Sequence, residues 1–507
     1  MKKFLLVFVV LFALLVFAGC EKLDSLEWEV LPKSVFVVGE EYDLDSNVKI
    51  NINGNPYTLE EAKATFQDEL TITGFDTSNE GLGTLIIKYK TLSLYWAYQV
   101  IKKTTDLPEE DEYKPSYGWF DPNKEEYVLE TPEDLYGFAN IVNGRDEKTA
   151  FDFAGKTVKL DADIDLTGKV WVPIGEGVRK QVQEVEFADF QTKITRFSGV
   201  ADEDDLKNRL NNHETDKNKE FEGCVYLGNY YFAQKVGSEW KYFYSESGGV
   251  TGNFFAGTFD GQGHKIIGLS DIGYTPNSII YANVSRVIKA YTFGLFGIVS
   301  GDVTVKNLNF ENIQIVGAYY DADEKELVLA EIDSVGAAIG YAFGEGDVVV
   351  ENVKVLSGFI TGEDGVGGVV GRVYSKGNMM FKNLQNRANV TSNGHAGGIV
   401  GYVSLKGAEA ESDVKFDVKF LDDYNYGNII STSKEGGKAA GAMINYVDQA
   451  NKDYVDVEMK GCYNFGNIFG MYSGNSTLGL HSGYRAQSNY NITDDCYNYG
   501  VLKLRGE

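Results

Sequence analysis

A glycine-spaced apolar element recurs in the second half of the chain and limits the fold more than any other feature of the sequence. The last glycines of successive copies are 30 to 43 residues apart. The copies span residues 294–297, 335–340, 366–371, 396–401 and 439–442. A unit this short cannot bury an apolar face alone, so the repeats must stack to form one continuous core.

A second element, centred on asparagine, alternates with the first. Its copies span residues 306–308, 351–353, 382–384, 424–428, 462–467 and 496–500. Glycine permits sharp turns between short strands, and recurring asparagines can hydrogen-bond to one another along a corner. The two elements predict an all-β fold of the parallel β-helix type. A β-propeller is the main alternative, although the unequal spacing and the lack of a fixed four-strand pattern disfavour it.

Residues from 129 to the C-terminus resemble the GLUG-repeat family of bacterial surface proteins. The most specific matches are residues 131–144, 163–166, 171–175 and 255–264, and the glycine repeats follow them. The resemblance implies a right-handed parallel β-helix over residues 118–507 of an exported protein. Some members carry an immunoglobulin-A metalloprotease domain after such repeats. This chain departs from the common pattern through a long insertion at residues 176–253.

Residues 131–144 predict a short helix at the start of the repeat region. Thr131 suits the N-cap, Pro132 suits the first helical position, and Gly144 suits the C-terminal end. Because a series of predicted strands follows, we expect this helix to cap the β-helix core.

The first twenty residues predict a targeting signal. Lys2 and Lys3 precede an apolar run at 4–17 that is too short to span a bilayer comfortably. The run ends in Phe-Ala-Gly-Cys, which resembles the lipobox of bacterial lipoproteins. The resemblance implies removal of residues 1–19, lipid on Cys20 and attachment to a membrane outside the cytoplasm, with residues 20–25 as a tether. An ordinary secretory signal followed by a chance cysteine is the alternative.

Residues 26–101 consist of short alternating apolar segments, which predict a small β-sandwich. Residues 38–44, 74–78 and the final hairpin resemble bacterial Ig-like domains, which act as spacers or binding units on surface proteins. Residues 102–117 are polar and acidic and contain two of the eight prolines, so they predict a linker.

The net charge narrows the classes of partner that the chain is expected to bind. The chain has 47 Lys and Arg against 74 Asp and Glu, a formal net charge of −27, so nucleic acid is not expected to bind.

Besides Cys20 only three cysteines are present, too few for a dense disulfide framework. Cys462 and Cys496 occupy the same repeat position and are either neighbouring core residues or a disulfide. The aromatic residues beside them are either core or corner stacks: Tyr463, Phe465, Tyr497 and Tyr499.

The sequence contains no complete catalytic set. His213-Glu214 lacks the second histidine of a zinc protease motif. The acidic pairs at 422–423 and 494–495, which we expect at equivalent repeat positions, resemble the paired carboxylates of acid/base catalysis. Solvated turn residues are the favoured interpretation, so no catalytic residue is predicted.

A calcium site is the alternative reading of an acidic strand. Asp161, Asp163 and Asp165 share one face, and Asp260 is expected nearby in the next coil. Outward polar positions of a half-buried strand are the favoured interpretation, and His264 is expected to be structural. We predict no metal and no cofactor.

The insertion contains the densest aromatic cluster of the chain. Exposed aromatic rings can stack on sugars or anchor a protein partner. The candidate ligand-binding residues are Tyr226, Tyr230, Tyr231, Trp240, Tyr242 and Tyr244. A β-hairpin with one face packed on the β-helix is the alternative.

The leading hypothesis is therefore a lipid-anchored bacterial cell-surface protein that is not an enzyme. The Ig-like module spaces the β-helix outward, and the β-helix binds an extracellular glycan or protein. A polysaccharide-degrading β-helix lyase or hydrolase is the rival hypothesis. A purely structural envelope protein is the third.

Overall fold

The computed structural model is rich in β-strand, and its described residues divide into two compact units, one within residues 1–103 and the other within residues 104–505. It describes residues 24–30, 32–33, 35–79, 81–101, 114–179, 182–213, 224–228, 231–245, 250–271, 281–282, 287–288, 291–321, 326–329, 332–404, 415–433, 438–445, 447–448, 455–472, 478–482 and 490–504. Within these ranges no helix has the length and apolar character needed to cross a membrane. The predicted signal, Cys20 and most of the predicted linker lie outside the described residues.

The first unit contains two sheets. One is antiparallel, with strands Leu26–Val30, Lys49–Ile52 and Asn55–Thr58. The other has strands in the order Val35–Val37, Leu92–Ile101, Gly81–Tyr89 and Leu70–Thr73. The first of these pairs parallel to its neighbour, and the other pairs are antiparallel.

The first unit also contains helical turns that the sequence analysis does not predict. They span Leu44–Asn47, Leu59–Phe66 and Gln67–Glu69. Thr58 and Glu61 form a reciprocal capping box at the start of Leu59–Phe66, and Leu59 and Ala62 bury one face of this helix. Local capping chemistry thus adds a helix to a segment read as strand and turn.

The second unit is built on four long parallel sheets, which we call sheets A to D. Sheet A has a first row of strands Glu126–Leu129, Thr157–Leu160, Thr258–Asp260, Val303–Glu311, Val348–Val355, Met379–Lys382, Phe416–Leu421, Val455–Lys460 and Tyr490–Ile492. Its second row, beyond a corner, adds Ile164–Asp165, Lys265–Ile267, Gln385–Asn386, Tyr424–Asn425, Tyr463–Asn464 and Tyr497–Asn498.

Sheets B to D complete each repeat. Sheet B has strands Ile313–Ile315, Gly358–Gly362, Asn389–Ser392, Ile429–Ser431, Ile468–Met471 and Leu502–Leu504. Sheet C has Tyr291–Phe293, Ile332–Val335, Val366–Gly367, Ala396–Gly397 and Ala440–Gly441. Sheet D has Phe296–Ser300, Ile339–Glu345, Val370–Lys376, Val400–Ser404 and Val447–Asp448.

The chain visits these sheets in a constant order. Between Val370–Lys376 and Val400–Ser404 it passes through both rows of sheet A, then sheet B, then sheet C, and returns to sheet D. Every strand pair in the four sheets is parallel, as in the example of Val350 opposite Phe381. Each repeat therefore lies directly against the next.

Close contact between repeats explains the glycine spacing. Gly371 lies so near the preceding repeat that a Cβ would be 2.5 Å from the carbonyl oxygen of Gly340. Inward side chains such as Val350, Phe381 and Phe420 are fully buried in the shared core. The repeated sequence therefore places glycine where the backbones of adjacent repeats touch, and it places apolar side chains where the core must be filled.

The asparagine element forms the expected ladder at the corner of sheet A. The side-chain amide of Asn383 donates to Asn352 Oδ1 at 2.7 Å, and that of Asn352 donates to Asn307 Oδ1 at 3.0 Å. All three residues have positive φ angles of 52–54°, which asparagine tolerates better than most residues. The ladder thus joins the corner turns of successive repeats.

The predicted helix is present at Pro132–Asn143. Thr131 and Asp134 form its capping box, and Gly144 ends it in the left-handed region with φ 68°. The buried ring of Phe138 packs on Phe255 and Phe259 at centroid distances of 5.6 and 6.1 Å. The helix therefore covers apolar residues of the first repeats.

Shorter antiparallel pairs interrupt the repeats. They are Glu176–Arg179 with Val250–Asn253, Tyr281–Ala282 with Val287–Ile288, and Ala318–Asp321 with Glu326–Leu329. The first of these pairs joins the two ends of the predicted insertion.

Candidate functional site

The aromatic cluster predicted from the insertion lies in a small sheet of its own. Its antiparallel strands follow the order Val182–Val185, Glu239–Ser245, Tyr231–Val236 and Cys224–Gly228. The helical segments Phe187–Phe190, Gln191–Lys193 and Glu203–Asn211 accompany it, and Phe190, Leu206 and Leu210 join its apolar core. One face of the sheet thus packs on these helices, whereas the alternative interpretation of the sequence places a hairpin face against the repeats.

Two of the predicted binding residues are part of that core. Tyr231 is 6% exposed and Tyr242 is 4% exposed. The ring of Phe190 lies 5.0 Å from the ring of Tyr231 and 5.2 Å from that of Tyr242. Burial raises the pKa of Tyr242 above its ordinary value. These two rings stabilise the insertion and offer little surface to a ligand.

Trp240 and Tyr244 lie half-buried at the margin of the same core. The indole Nε1 of Trp240 donates to Asn211 Oδ1 at 2.9 Å. The ring of Tyr244 packs 4.8 Å from that of Tyr231. Both side chains are therefore held by the insertion itself, with part of each ring accessible.

Tyr226 lies on the other face of the sheet. Its side chain is 36% exposed, and its ring lies 5.2 Å from that of Phe232. Tyr230 lies outside the described residues. The five described candidates are thus divided between a core, its margin and the opposite face, and do not form one surface.

A second aromatic array is far more regular. We call it the aromatic platform, and it consists of Tyr424, Tyr426, Tyr463, Phe465, Tyr497 and Tyr499. These residues lie in and just after three successive strands of the second row of sheet A, where Tyr424 is in register with Tyr463 and Tyr463 with Tyr497. Because side chains alternate along a strand, the aromatic residues point outward while the asparagines between them point inward.

The platform rings form two parallel columns. In one column the centroids of Tyr424 and Tyr463 are 5.2 Å apart, and those of Tyr463 and Tyr497 are 5.7 Å apart. In the other column the steps are 4.8 Å and 5.1 Å: Tyr426 to Phe465, and Phe465 to Tyr499. The ring planes within each column are within 28° of parallel. Exposure is greatest at Tyr499, at 64%.

A buried asparagine ladder fixes this geometry from behind. The side-chain amide of Asn425 donates to Asn464 Oδ1 at 2.7 Å and to the Gly427 carbonyl at 2.8 Å. Asn464 repeats both bonds, to Asn498 Oδ1 at 2.6 Å and to Gly466 at 2.7 Å. Since each amide is satisfied, the ladder positions each pair of aromatic residues without an unpaired buried donor.

The glycine after each aromatic pair is required by the stacking. A Cβ on Gly466 would overlap the carbonyl oxygen of Gly427, and one on Gly500 would overlap that of Gly466. The recurring pattern Tyr-Asn-(Tyr/Phe)-Gly is therefore the sequence signal of the platform. Residues 424–428, 462–467 and 496–500 are recognisable in the sequence as copies of one repeat, but their spacing leaves the aromatic residues as either core or corner stacks.

Polar residues occupy the same two columns in the preceding repeat. Gln385 is in register with Tyr424 in the first column. The same register aligns Arg387 with Tyr426 in the second column. The Arg387 guanidinium lies 4.7 Å from the centroid of the Tyr426 ring, a cation–π distance. The column positions thus accept polar side chains, and folding alone does not demand aromatic residues there.

The acidic pairs are offset from one another by one residue. Because Tyr424 is aligned through Tyr463 with Tyr497, Asp422 corresponds to Asp495 and Asp423 to Cys496. The expectation that the two pairs occupy equivalent positions is therefore wrong. Asp423 is fully buried and accepts a hydrogen bond from the Leu384 amide at 2.8 Å, and burial raises its pKa well above the usual value.

A further charged cluster was not anticipated from the sequence. Arg372 contacts Asp364 at 2.7 Å and Asp333 at 3.3 Å, and His395 Nδ1 contacts Asp364 Oδ1. Burial acts to raise the pKa of Asp364, but the charges of Arg372 and His395 outweigh it and hold that pKa well below its usual range. The buried carboxylate is thus neutralised by its own neighbours.

The residues considered for calcium form local contacts. Asp163 Oδ1 lies 3.2 Å from His264 Nδ1 and accepts from the Lys265 amide at 2.9 Å. Asp260 Oδ1 accepts from the side chain of Asn307 at 2.9 Å, and Asp165 accepts from the Thr167 amide. Across the described part of the chain, no three His, Cys, Asp or Glu side chains converge closely enough to hold a metal ion.

Comparison with known proteins gives little further guidance. No family model and no curated protein matches the chain. One solved structure, the "putative immunoglobulin A1 protease" of Bacteroides ovatus, is similar over 75% of this chain and 78% of that chain, with 15% identity and a TM-score of 0.38. At this level the two chains are not shown to share a fold or an activity.

Proposed function

We propose that this chain is a lipid-anchored bacterial cell-surface protein that binds an extracellular glycan through the aromatic platform. Lipidation of Cys20 rests on the lipobox-like sequence Phe-Ala-Gly-Cys. The insertion residues Tyr226, Trp240 and Tyr244 are the rival binding surface. A protein ligand is the other outcome that the binding test distinguishes.

The architecture in this proposal is a right-handed parallel β-helix preceded by an Ig-like sandwich. The constant order of sheets A to D, their parallel pairing and the shared core support the β-helix. The two sheets of the first unit support the sandwich. The helix Pro132–Asn143, which covers apolar side chains of the first repeats, suits a terminal cap.

The single observation that carries the binding proposal is the contrast within one column of the fold. Gln385 stands where the next three repeats have Tyr424, Tyr463 and Tyr497. A polar residue fits this position, yet the later repeats expose aromatic rings to solvent. Large exposed aromatic arrays commonly mark binding sites, because their apolar surface is released from water when a ligand covers it.

Ring chemistry favours a glycan over an apolar ligand. Five of the six platform residues are tyrosines, so the array combines apolar rings with hydroxyl groups that can donate or accept hydrogen bonds. A sugar likewise combines apolar C–H faces with hydroxyls. The net charge of −27 opposes binding of anionic polymers, so we expect a neutral glycan.

An array that carries both glycans and proteins tests this proposal with the chain from Glu21 onward. The platform variant is Tyr424→Gln/Tyr463→Gln/Tyr497→Gln, which copies the residue already present at position 385. We expect wild type to bind neutral glycans and the platform variant to lose at least tenfold in affinity. Tyr226→Gln is the matched control on the insertion and should bind as wild type does.

Three outcomes would overturn the proposal. Binding lost in Tyr226→Gln but kept in the platform variant would move the site to the insertion. If the wild-type chain binds a protein on the array and no glycan, the ligand is a protein and the proposed glycan is wrong. Release of sugar fragments from acidic polysaccharides, with or without calcium, would establish the polysaccharide-degrading enzyme instead.

A further inference from the structure

Two cysteines lie side by side beneath the last rows of the platform. Since Tyr463 is in register with Tyr497, the residues before them, Cys462 and Cys496, occupy adjacent positions of neighbouring parallel repeats. Both side chains point inward, with Cys462 fully buried and Cys496 3% exposed. Neighbouring parallel strands are about 4.8 Å apart, which lies within the Cα separation that a disulfide spans.

The contacts between the two residues are direct. The Cys462 amide donates to Cys496 Sγ at 3.4 Å. Each thiol also has a carbonyl acceptor at 3.4 Å, Phe420 for Cys462 and Met459 for Cys496. The two sulfur atoms are thus held together within one apolar column.

The two thiols differ in acidity. Hydrogen bonding from Cys462 lowers the pKa of Cys496 to about 6, whereas the interaction with Cys496 and burial raise the pKa of Cys462. Asp423 occupies the next position of the column, and burial favours its neutral carboxyl form. Cys496 is therefore the first of the two to react, because it retains 3% exposure while Cys462 is fully buried, and because thiol–disulfide exchange proceeds through the thiolate.

We propose that Cys462 and Cys496 are a redox modification site that forms an intrachain disulfide with a small-molecule or protein disulfide as oxidant. The Cys496 thiolate attacks the oxidant, forms a mixed disulfide and releases one thiolate of the oxidant, which takes up a proton. Cys462 then loses its proton to the solvent buffer and attacks Cys496 Sγ, and the second thiol of the oxidant leaves. Two cysteine thiols are oxidised and one disulfide is reduced to two thiols.

The bond would join the final two rows of the platform. Strand Tyr463–Asn464 follows Cys462 directly, and strand Tyr497–Asn498 follows Cys496. A cross-link here restricts separation of these rows and closes a loop of 33 intervening residues. The site does not depend on the identity of the platform ligand, so it stands apart from the binding proposal.

Cysteine counting by intact-mass spectrometry tests the site. The chain from Glu21 is incubated with oxidised glutathione or with a reductant, denatured without reductant and treated with N-ethylmaleimide. It contains three cysteines, Cys224, Cys462 and Cys496. We expect one labelled cysteine after oxidation and three after reduction, with a peptide map joining Cys462 to Cys496.

Variants keep the proposal falsifiable. Cys224→Ser should leave no labelled cysteine after oxidation, and Cys462→Ser should retain one glutathionyl group on Cys496. Oxidation should raise the Tm of Cys224→Ser by about 5 °C and leave that of Cys462→Ser unchanged. Three labelled cysteines in oxidised wild type, or a bond that includes Cys224, would refute the site.

Discussion

The insertion and the platform are both rich in aromatic residues but use them in opposite ways. In the insertion, Tyr231 and Tyr242 are buried against Phe190, a residue outside the aromatic cluster itself. In the platform, the rings of Tyr463 and Tyr497 stack on one another outside the core. The density of aromatic residues is therefore a poor guide to a binding surface. Their alternation with buried asparagine is a better one.

The largest effect should follow from removal of a buried ring in the insertion. Tyr231→Ala leaves a cavity beside Phe190 and should lower the free energy of local unfolding by about 3–5 kcal/mol. Hydrogen exchange in strands Cys224–Gly228 and Tyr231–Val236 measures this loss. Tyr226→Ala, on the exposed face, should cost less than about 1 kcal/mol. Equal losses in the two variants would contradict the division of the cluster into core and surface.

Loss of one rung of the asparagine ladder should have the next largest effect. Asn464→Ala removes one acceptor of the Asn425 amide and one donor to each of Asn498 Oδ1 and the Gly466 carbonyl. Asn425 and Gly466 are buried, and Asn498 is half-buried. Unsatisfied buried groups should reduce local stability by about 2–3 kcal/mol. Hydrogen exchange in strand Val455–Lys460 measures it.

The control for the ladder is Asn491→Ala, an exposed asparagine on strand Tyr490–Ile492. It should leave exchange in Val455–Lys460 unchanged. If Asn464→Ala were as stable as Asn491→Ala, the ladder would not be what fixes the platform.

The smallest effect on stability should come from the platform itself. The triple Gln variant replaces exposed rings with the residue that the column already accepts at Gln385, so local stability should fall by less than about 1 kcal/mol in the same exchange measurement. A loss as large as that of Asn464→Ala would mean that the rings support the fold, and the argument for a binding surface would fail.

Much of the second unit could be predicted from local sequence signals. Thr131, Pro132 and Gly144 fixed the ends of one helix, and the glycine and asparagine spacing predicted parallel, stacked repeats. The orientation of the insertion aromatics could not be predicted, because Tyr231 is buried by residues in helices that carry no repeat. The offset of the acidic pairs was missed because a single-residue difference in register is decided by strand pairing.

Only part of the platform could be predicted from the sequence. Period-two alternation around Asn425, Asn464 and Asn498 assigns the flanking aromatic residues to the outer face once the asparagines are recognised as buried. That recognition needs the hydrogen bonds between repeats, which the spacing alone does not reveal.

Hydroxyl-radical footprinting with and without the glycan found on the array shows directly which aromatic residues the glycan covers. Mass spectrometry reports the oxidation of each exposed aromatic side chain. We expect the glycan to protect Tyr497 and Tyr499 and to leave the oxidation of Tyr226 unchanged. Protection of Tyr226 and Trp240 with full oxidation of Tyr497 and Tyr499 would contradict it.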